Sequence, residues 1–219
     1  MGLLFFQNPI YLALTLIGAS LPDFDHEFRE NKVYMLIITG IGISGILFLL
    51  NLPYFFGIMI CLLAIIFYFS SHRGFTHSIF GISLLTVLIV LILVLGSFTL
   101  GSLKLELVNV FEIGIVIIIL FLGILFLHRK LILPFLTLFL LGIMFLETFP
   151  VNYIMMVFSI FLGFLSHLIL DSFTPSGVKI LIPFSTRKFH GNFGIIMLFL
   201  LGILLIPQFI QVLTVFNIF

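Results

Sequence analysis

Three short polar stretches hold four of the six histidines in this 219-residue chain, together with carboxylates close to them in sequence. The longest is Ser71-His72-Arg73-Gly74-Phe75-Thr76-His77-Ser78. An unbroken helix would keep His72 and His77 apart, whereas a loop bent at Gly74 would bring them together. Arg73 would then stand beside them as a planar fork suited to a phosphate. Alternatively, Arg73 is a positive-side anchor, and Ser71 or Thr76 caps the helix that starts at Ser78. The second stretch is Pro22-Asp23-Phe24-Asp25-His26. In an extended segment Asp23 and Asp25 would face the same way and could serve one centre; the plainer reading is a solvated loop in which Asp25 caps a helix. The third is Ser166-His167-Leu168-Ile169-Leu170-Asp171. A spacing of four puts His167 and Asp171 on one helical face, where they could offer a nitrogen and an oxygen to a single ion or hydrogen-bond to each other at a helix end.

Each stretch alone favours its plainer reading, but together they do not. Ionisable residues beside membrane helices are costly and usually functional. A mixed histidine and carboxylate set suits zinc, manganese or iron. Six or seven such ligands exceed the four of a closed structural zinc site. They leave room for two ions about 3.5–4 Å apart, the arrangement used for phosphoester hydrolysis.

The elements that must position these residues are long apolar runs. The chain is 63% hydrophobic and 8% charged, with a mean hydropathy of +1.44, against about 25% charged residues in a soluble domain. No soluble fold of this length hides so much apolar surface, so the expected class is an all-α, polytopic transmembrane bundle. Candidate spans are 3–21 (interrupted by Gln7, Asn8 and Pro9), 33–50, 54–70, 79–100, 111–127, 131–149, 153–170 and 193–215. That makes about seven or eight helices in a single domain over residues 1–219. The first run lacks a basic flank and a small-residue cleavage site, which predicts a retained helix rather than a signal peptide. Asn51-Leu52-Pro53 and Pro150-Val151-Asn152 read as turns, and 172–192 as a mixed loop. Cys61, the one cysteine, reads as a buried structural thiol.

Counting spans places all three polar stretches on one membrane face, although the helix assignment did not require it. Arg29, Lys32, Arg73, Arg129, Lys130, Lys179, Arg187 and Lys188 fall on that face, and Lys104 on the other. Positive residues in short loops stay cytoplasmic, so the polar face is expected to look into the cytoplasm of a plasma or inner membrane.

Leu21-Pro22-Asp23-Phe24-Asp25-His26, His72-Arg73-Gly74-Phe75-Thr76-His77-Ser78, and Gly163-Phe164-Leu165-Ser166-His167-Leu168-Ile169-Leu170-Asp171 with Thr174-Pro175-Ser176-Gly177-Val178 resemble the motifs of the YdjM-like family, in the family's order. These are inner-membrane, metal-dependent hydrolases, in bacteria often LexA-regulated. The resemblance implies that Asp23, Asp25, His26, His72, His77, His167 and Asp171 line a metal site. Many members carry a histidine near the N-terminus; residues 1–20 hold none here. More distantly, the set is similar to those of zinc-dependent phospholipase C and P1-type nucleases, which use His/Asp ligands and an HxxxD helix.

The expected activity is therefore metal-dependent hydrolysis of a phosphoester in a membrane lipid or lipid-linked substrate. Zinc is the first choice of cofactor, with manganese or iron as alternatives. Asp25 would be a ligand or general base, and Arg73 would hold the phosphate with help from Lys179, Arg187 and Lys188. The rival is a metal transporter or sensor without hydrolytic chemistry, which calls for polar residues through the bilayer midplane. The spans hold only scattered Ser, Thr and Asn. There is no HExxH, no Walker-type phosphate loop and no sign of stable nucleic-acid binding. The lipid bilayer is the expected partner, and nothing in the sequence sets an oligomeric state.

Overall fold

The computed structural model describes residues 8–25, 30–70, 74–103, 109–145 and 151–215. Among them are eight α-helices: α1 (Pro9–Ser20), α2 (Glu30–Leu49), α3 (Phe55–Phe69), α4 (Ile79–Gly101), α5 (Val110–Phe126), α6 (Arg129–Met144), α7 (Tyr153–Ser172) and α8 (Gly191–Val215). Short 3-10 turns at Pro22–Asp25 and Phe75–His77 carry two of the polar stretches.

The expected first span is shorter than the apolar run suggested. Asn8 accepts a hydrogen bond from the Ile10 N–H at 2.9 Å, and Pro9 occupies the first helical position, where its missing N–H costs nothing. The residues that seemed to interrupt a span therefore start a helix. At 12 residues, α1 is about 18 Å long, short of the roughly 30 Å hydrocarbon core. It is an interior element, with Ile10, Leu14 and Ile17 fully buried. Three stretches are long and apolar enough to cross a bilayer: Asn31–Leu49, Ile79–Gly101 and Tyr153–Ser172. Pro9–Ser20, Phe55–Phe69, Val110–Phe126 and Gly191–Ile203 are shorter apolar helical stretches.

Lipid tails are as apolar as leucine, so helices in a bilayer gain little from hiding apolar surface and associate through close packing instead. Glycine sets that packing here. A Cβ on Gly163 of α7 would lie 2.1 Å from the Thr15 carbonyl oxygen, and one on Gly18 of α1 would lie 2.4 Å from the Ile160 carbonyl oxygen. Each helix thus removes a side chain where the other's backbone passes. At the far end of the pair the Asn152 N–H donates to the Tyr11 hydroxyl at 3.0 Å, so α1 and α7 run parallel. The α2–α3 hairpin turns at Asn51, which takes a left-handed φ of 55°, and closes on Gly40 and Gly57 by the same device. Cys61 packs there against Gly40 but is half-buried, not buried as expected.

Helix direction then puts the ends of α1, α5 and α7 and the starts of α4 and α6 on one face. Phe24, in the turn after α1, packs edge-on against Phe126 at the end of α5 with ring centroids 4.9 Å apart. The segment after α7 is an irregular loop held by one antiparallel bridge between Val178 and Phe189. Its buried Val178 and Ile180 join the core. The Ile180 carbonyl accepts from the Ile79 N–H at 3.0 Å, satisfying one of the donors that a helix start leaves free.

Candidate metal centre

His167 is placed by the end of α1. A helix leaves its last carbonyls without intrahelical partners, and that of Ala19 lies 2.9 Å from His167 Nδ1. A carbonyl only accepts, so Nδ1 is the donor. In the neutral ring Nε2 then carries a lone pair. That Nε2 is buried and makes no hydrogen bond. Metal-bound histidines show this arrangement, the far nitrogen donating to a backbone carbonyl.

His167 Nε2 faces two carboxylates, with Asp171 Oδ2 and Asp23 Oδ1 each 3.6 Å away. One helical turn separates His167 from Asp171, so the expected shared face is observed. The third member is His77, fully buried at the end of its 3-10 turn. Its Nε2 lies 3.3 Å from Asp171 Oδ2, and its ring meets that of His167 edge-on at 5.3 Å between centroids. One ligand atom from each of His77, His167 and Asp171 falls within 4.8 Å of the others.

A charge-assisted N–H···O bond is about 2.7–2.9 Å long. Two donors held about 2.05 Å from a tetrahedral ion stand about 3.3 Å apart. The observed 3.3 and 3.6 Å separations are longer than an ideal charge-assisted bond and compatible with ligands sharing a cation. The donor set, two imidazoles and a carboxylate, fits a borderline divalent ion such as zinc.

Behind His77 stands a hydroxyl chain. Thr76 Oγ1 lies 3.1 Å from His77 Nδ1, and Ser70 donates to Thr76 at 3.3 Å. Thr76 was a candidate helix cap, but Ser78 takes that role, accepting from the Gly81 N–H at 3.0 Å. Thr76 orients a histidine instead. Nothing in residue type separated these hydroxyls. The signal that could have done so is position, because Ser78 immediately precedes the apolar run and Thr76 touches the histidine.

The remaining candidates divide. Asp23 stands at the rim, near His167 and outside the His77–His167–Asp171 group, with a side chain 58% exposed against 17% for Asp171. The segment carrying Asp23 and Asp25 is a 3-10 turn, not the extended strand expected. The Asp25 side chain, His26, His72 and Arg73 lie outside the described residues, as do Arg29 and Lys104. His128 caps α6, with Nδ1 accepting from the Lys130 N–H at 3.3 Å, and His190 is exposed beyond the bridge; neither joins the group. The Ala19 carbonyl escaped the sequence reading because a backbone oxygen has no signature beyond its place at a helix end.

A family model described as YdjM inner membrane protein matches residues 2–217. The chain belongs to this family. No curated protein and no solved structure matches it. The family match covers all three polar stretches, and with the apolar helices it makes this an integral membrane protein. The triad of this YdjM-family chain sits where α4 and α7 meet the end of α1.

Proposed function

We propose that this protein is a membrane-bound metal-dependent hydrolase acting on a phosphoester of a lipid or lipid-linked substrate. The observation that carries the reading is the buried His167 Nε2, left without a hydrogen bond beside two carboxylates while Nδ1 is tied to Ala19. His77, His167 and Asp171 would hold a divalent ion, zinc before manganese or iron, with Asp23 at the open side. A bound ion would supply Lewis acidity toward a phosphoryl oxygen and a nucleophile from water at neutral pH.

The chain's own groups would do the rest. Asp25 would be either a further ligand or the general base that takes the proton of the attacking water, with Asp23 a ligand at the rim. Arg73, four residues before His77, would clamp the phosphate as a planar fork. Lys179 would assist, because the Ile180 carbonyl ties its loop to the first residue of α4, two residues past His77. Arg187 and Lys188, exposed on the same loop, would draw an anionic headgroup to the face. His26 and His72 would complete a second ion's shell. The face is taken as cytoplasmic from the basic residues gathered on it.

A transporter would need polar ligands through the bilayer. Thr86, Ser97 and Ser159, within α4 and α7, instead donate to the carbonyls four residues back in their own helices.

The test is elemental analysis of purified protein combined with hydrolysis assays on phospholipids and a generic phosphodiester. Stoichiometric metal with turnover of either substrate is the expected result. Bound metal with no turnover of any phosphoester would overturn the hydrolase reading and leave a metal-binding membrane protein.

A further inference from the structure

Beside the turn that carries Asp23, helices α2, α5 and α6 leave a cavity of about 460 Å³. Its depth is apolar, with Met35, Phe121, Leu125 and Ile132 among its walls. Lys32 and Arg129, the two cations among its lining residues, stand in the first turns of α2 and α6. Lys32 opens α2 and Arg129 opens α6, so both lie on the face of the candidate centre. Thr39, the deepest residue that α2 contributes, is seven positions past Lys32, about 10 Å further into the bundle. Phe24, next to Asp23 in the chain, also lines the cavity, and Lys32 Nζ lies over its ring at 5.3 Å.

We infer that this groove docks an anionic phospholipid, its phosphate on Lys32 and Arg129 and one acyl chain along the walls of α2, α5 and α6. The inference rests on the hydrolase reading for its purpose, and narrows the substrate class to a lipid presented beside Asp23. Charge complementarity commits the occupant. An annular lipid needs only the apolar walls, whereas two basic residues at the membrane-face end of a hydrocarbon slot select a negative headgroup. Guanidinium and ammonium together match a phosphate, the first as a fork and the second as a point charge.

Native mass spectrometry of the full chain in detergent, titrated with phosphatidylglycerol or phosphatidylcholine, tests this. The wild type is expected to retain one phosphatidylglycerol and to prefer it over phosphatidylcholine about tenfold or more. Lys32→Gln with Arg129→Gln should abolish the preference. Thr39→Phe, which fills the slot and keeps both charges, should lower retention of either lipid. Lys130→Gln, a neighbouring cation outside the groove, should change nothing. Equal retention of the two lipids by the wild type, or a preference that survives the double substitution, overturns the inference. Metal content measured on the same samples separates the two ideas: all groove variants should keep it, and its absence from the wild type would sink the hydrolase reading without touching lipid selectivity.

Discussion

His167 donates its Nδ1 proton to the carbonyl of Ala19, 148 residues earlier in the chain, at 2.9 Å. The bond joins the end of the first helix to the last turns of the seventh and settles which nitrogen of the imidazole faces the carboxylates. It exists only because Gly18 and Gly163 let the two backbones approach, and its consequences can be measured.

Gly163→Val should push α1 away from α7, since even a single Cβ would meet the Thr15 carbonyl at 2.1 Å. Overpacking of this kind costs about 1–3 kcal/mol. Thermal unfolding in detergent, followed by circular dichroism, should show a lower midpoint, and metal content should fall with it. Unchanged values for both would show that the close approach does not set the site.

Thr76→Val removes the hydroxyl beside His77 Nδ1 and keeps the shape of the side chain. Groups that orient a metal-bound histidine typically contribute about 10–100-fold in metal affinity. Competition with a chelator should show weaker binding of that order. The unfolding midpoint without metal should move little.

Asp171→Asn should be far more damaging than Asp23→Asn. Asp171 lies within 3.6 Å of both histidine nitrogens, whereas Asp23 reaches only His167, from the exposed rim. The expected outcome in elemental analysis is loss of the ion from Asp171→Asn and partial retention in Asp23→Asn. The reverse order would move the centre outward, toward the turn after α1.

Orientation is accessible through Thr186, which is exposed on the loop after α7. With Cys61→Ala as background, Thr186→Cys should react with a membrane-impermeant maleimide in inverted vesicles and not in intact cells. Labelling in intact cells would turn the polar face outward.

Much of this protein was legible in its residues. Apolar runs of helical length, broken by Asn-Leu-Pro and by charged loops, announce a helical membrane bundle, because a bilayer admits no other use for them. Span parity gathers the polar stretches on one face, since each crossing reverses the chain's direction. His167 and Asp171 were recognisable as partners because a helix repeats every 3.6 residues, about one turn for a spacing of four.

What the tertiary structure decided lies between segments. Residues 3–21 looked like a span, but Asn8 and Pro9 start a short interior helix, because capping is local chemistry that hydropathy does not register. Asp23 and Asp25 looked like neighbours on an extended strand, but a 3-10 turn presents Asp23 to His167. Thr76 looked like a cap and instead stands behind His77. The pairing of His77 with Asp171, 94 positions on, and the choice of the Ala19 carbonyl as anchor depend on how closely helices approach. Residue types and periodicity set which face each helix offers; glycine placement and backbone contact between distant segments set which faces meet.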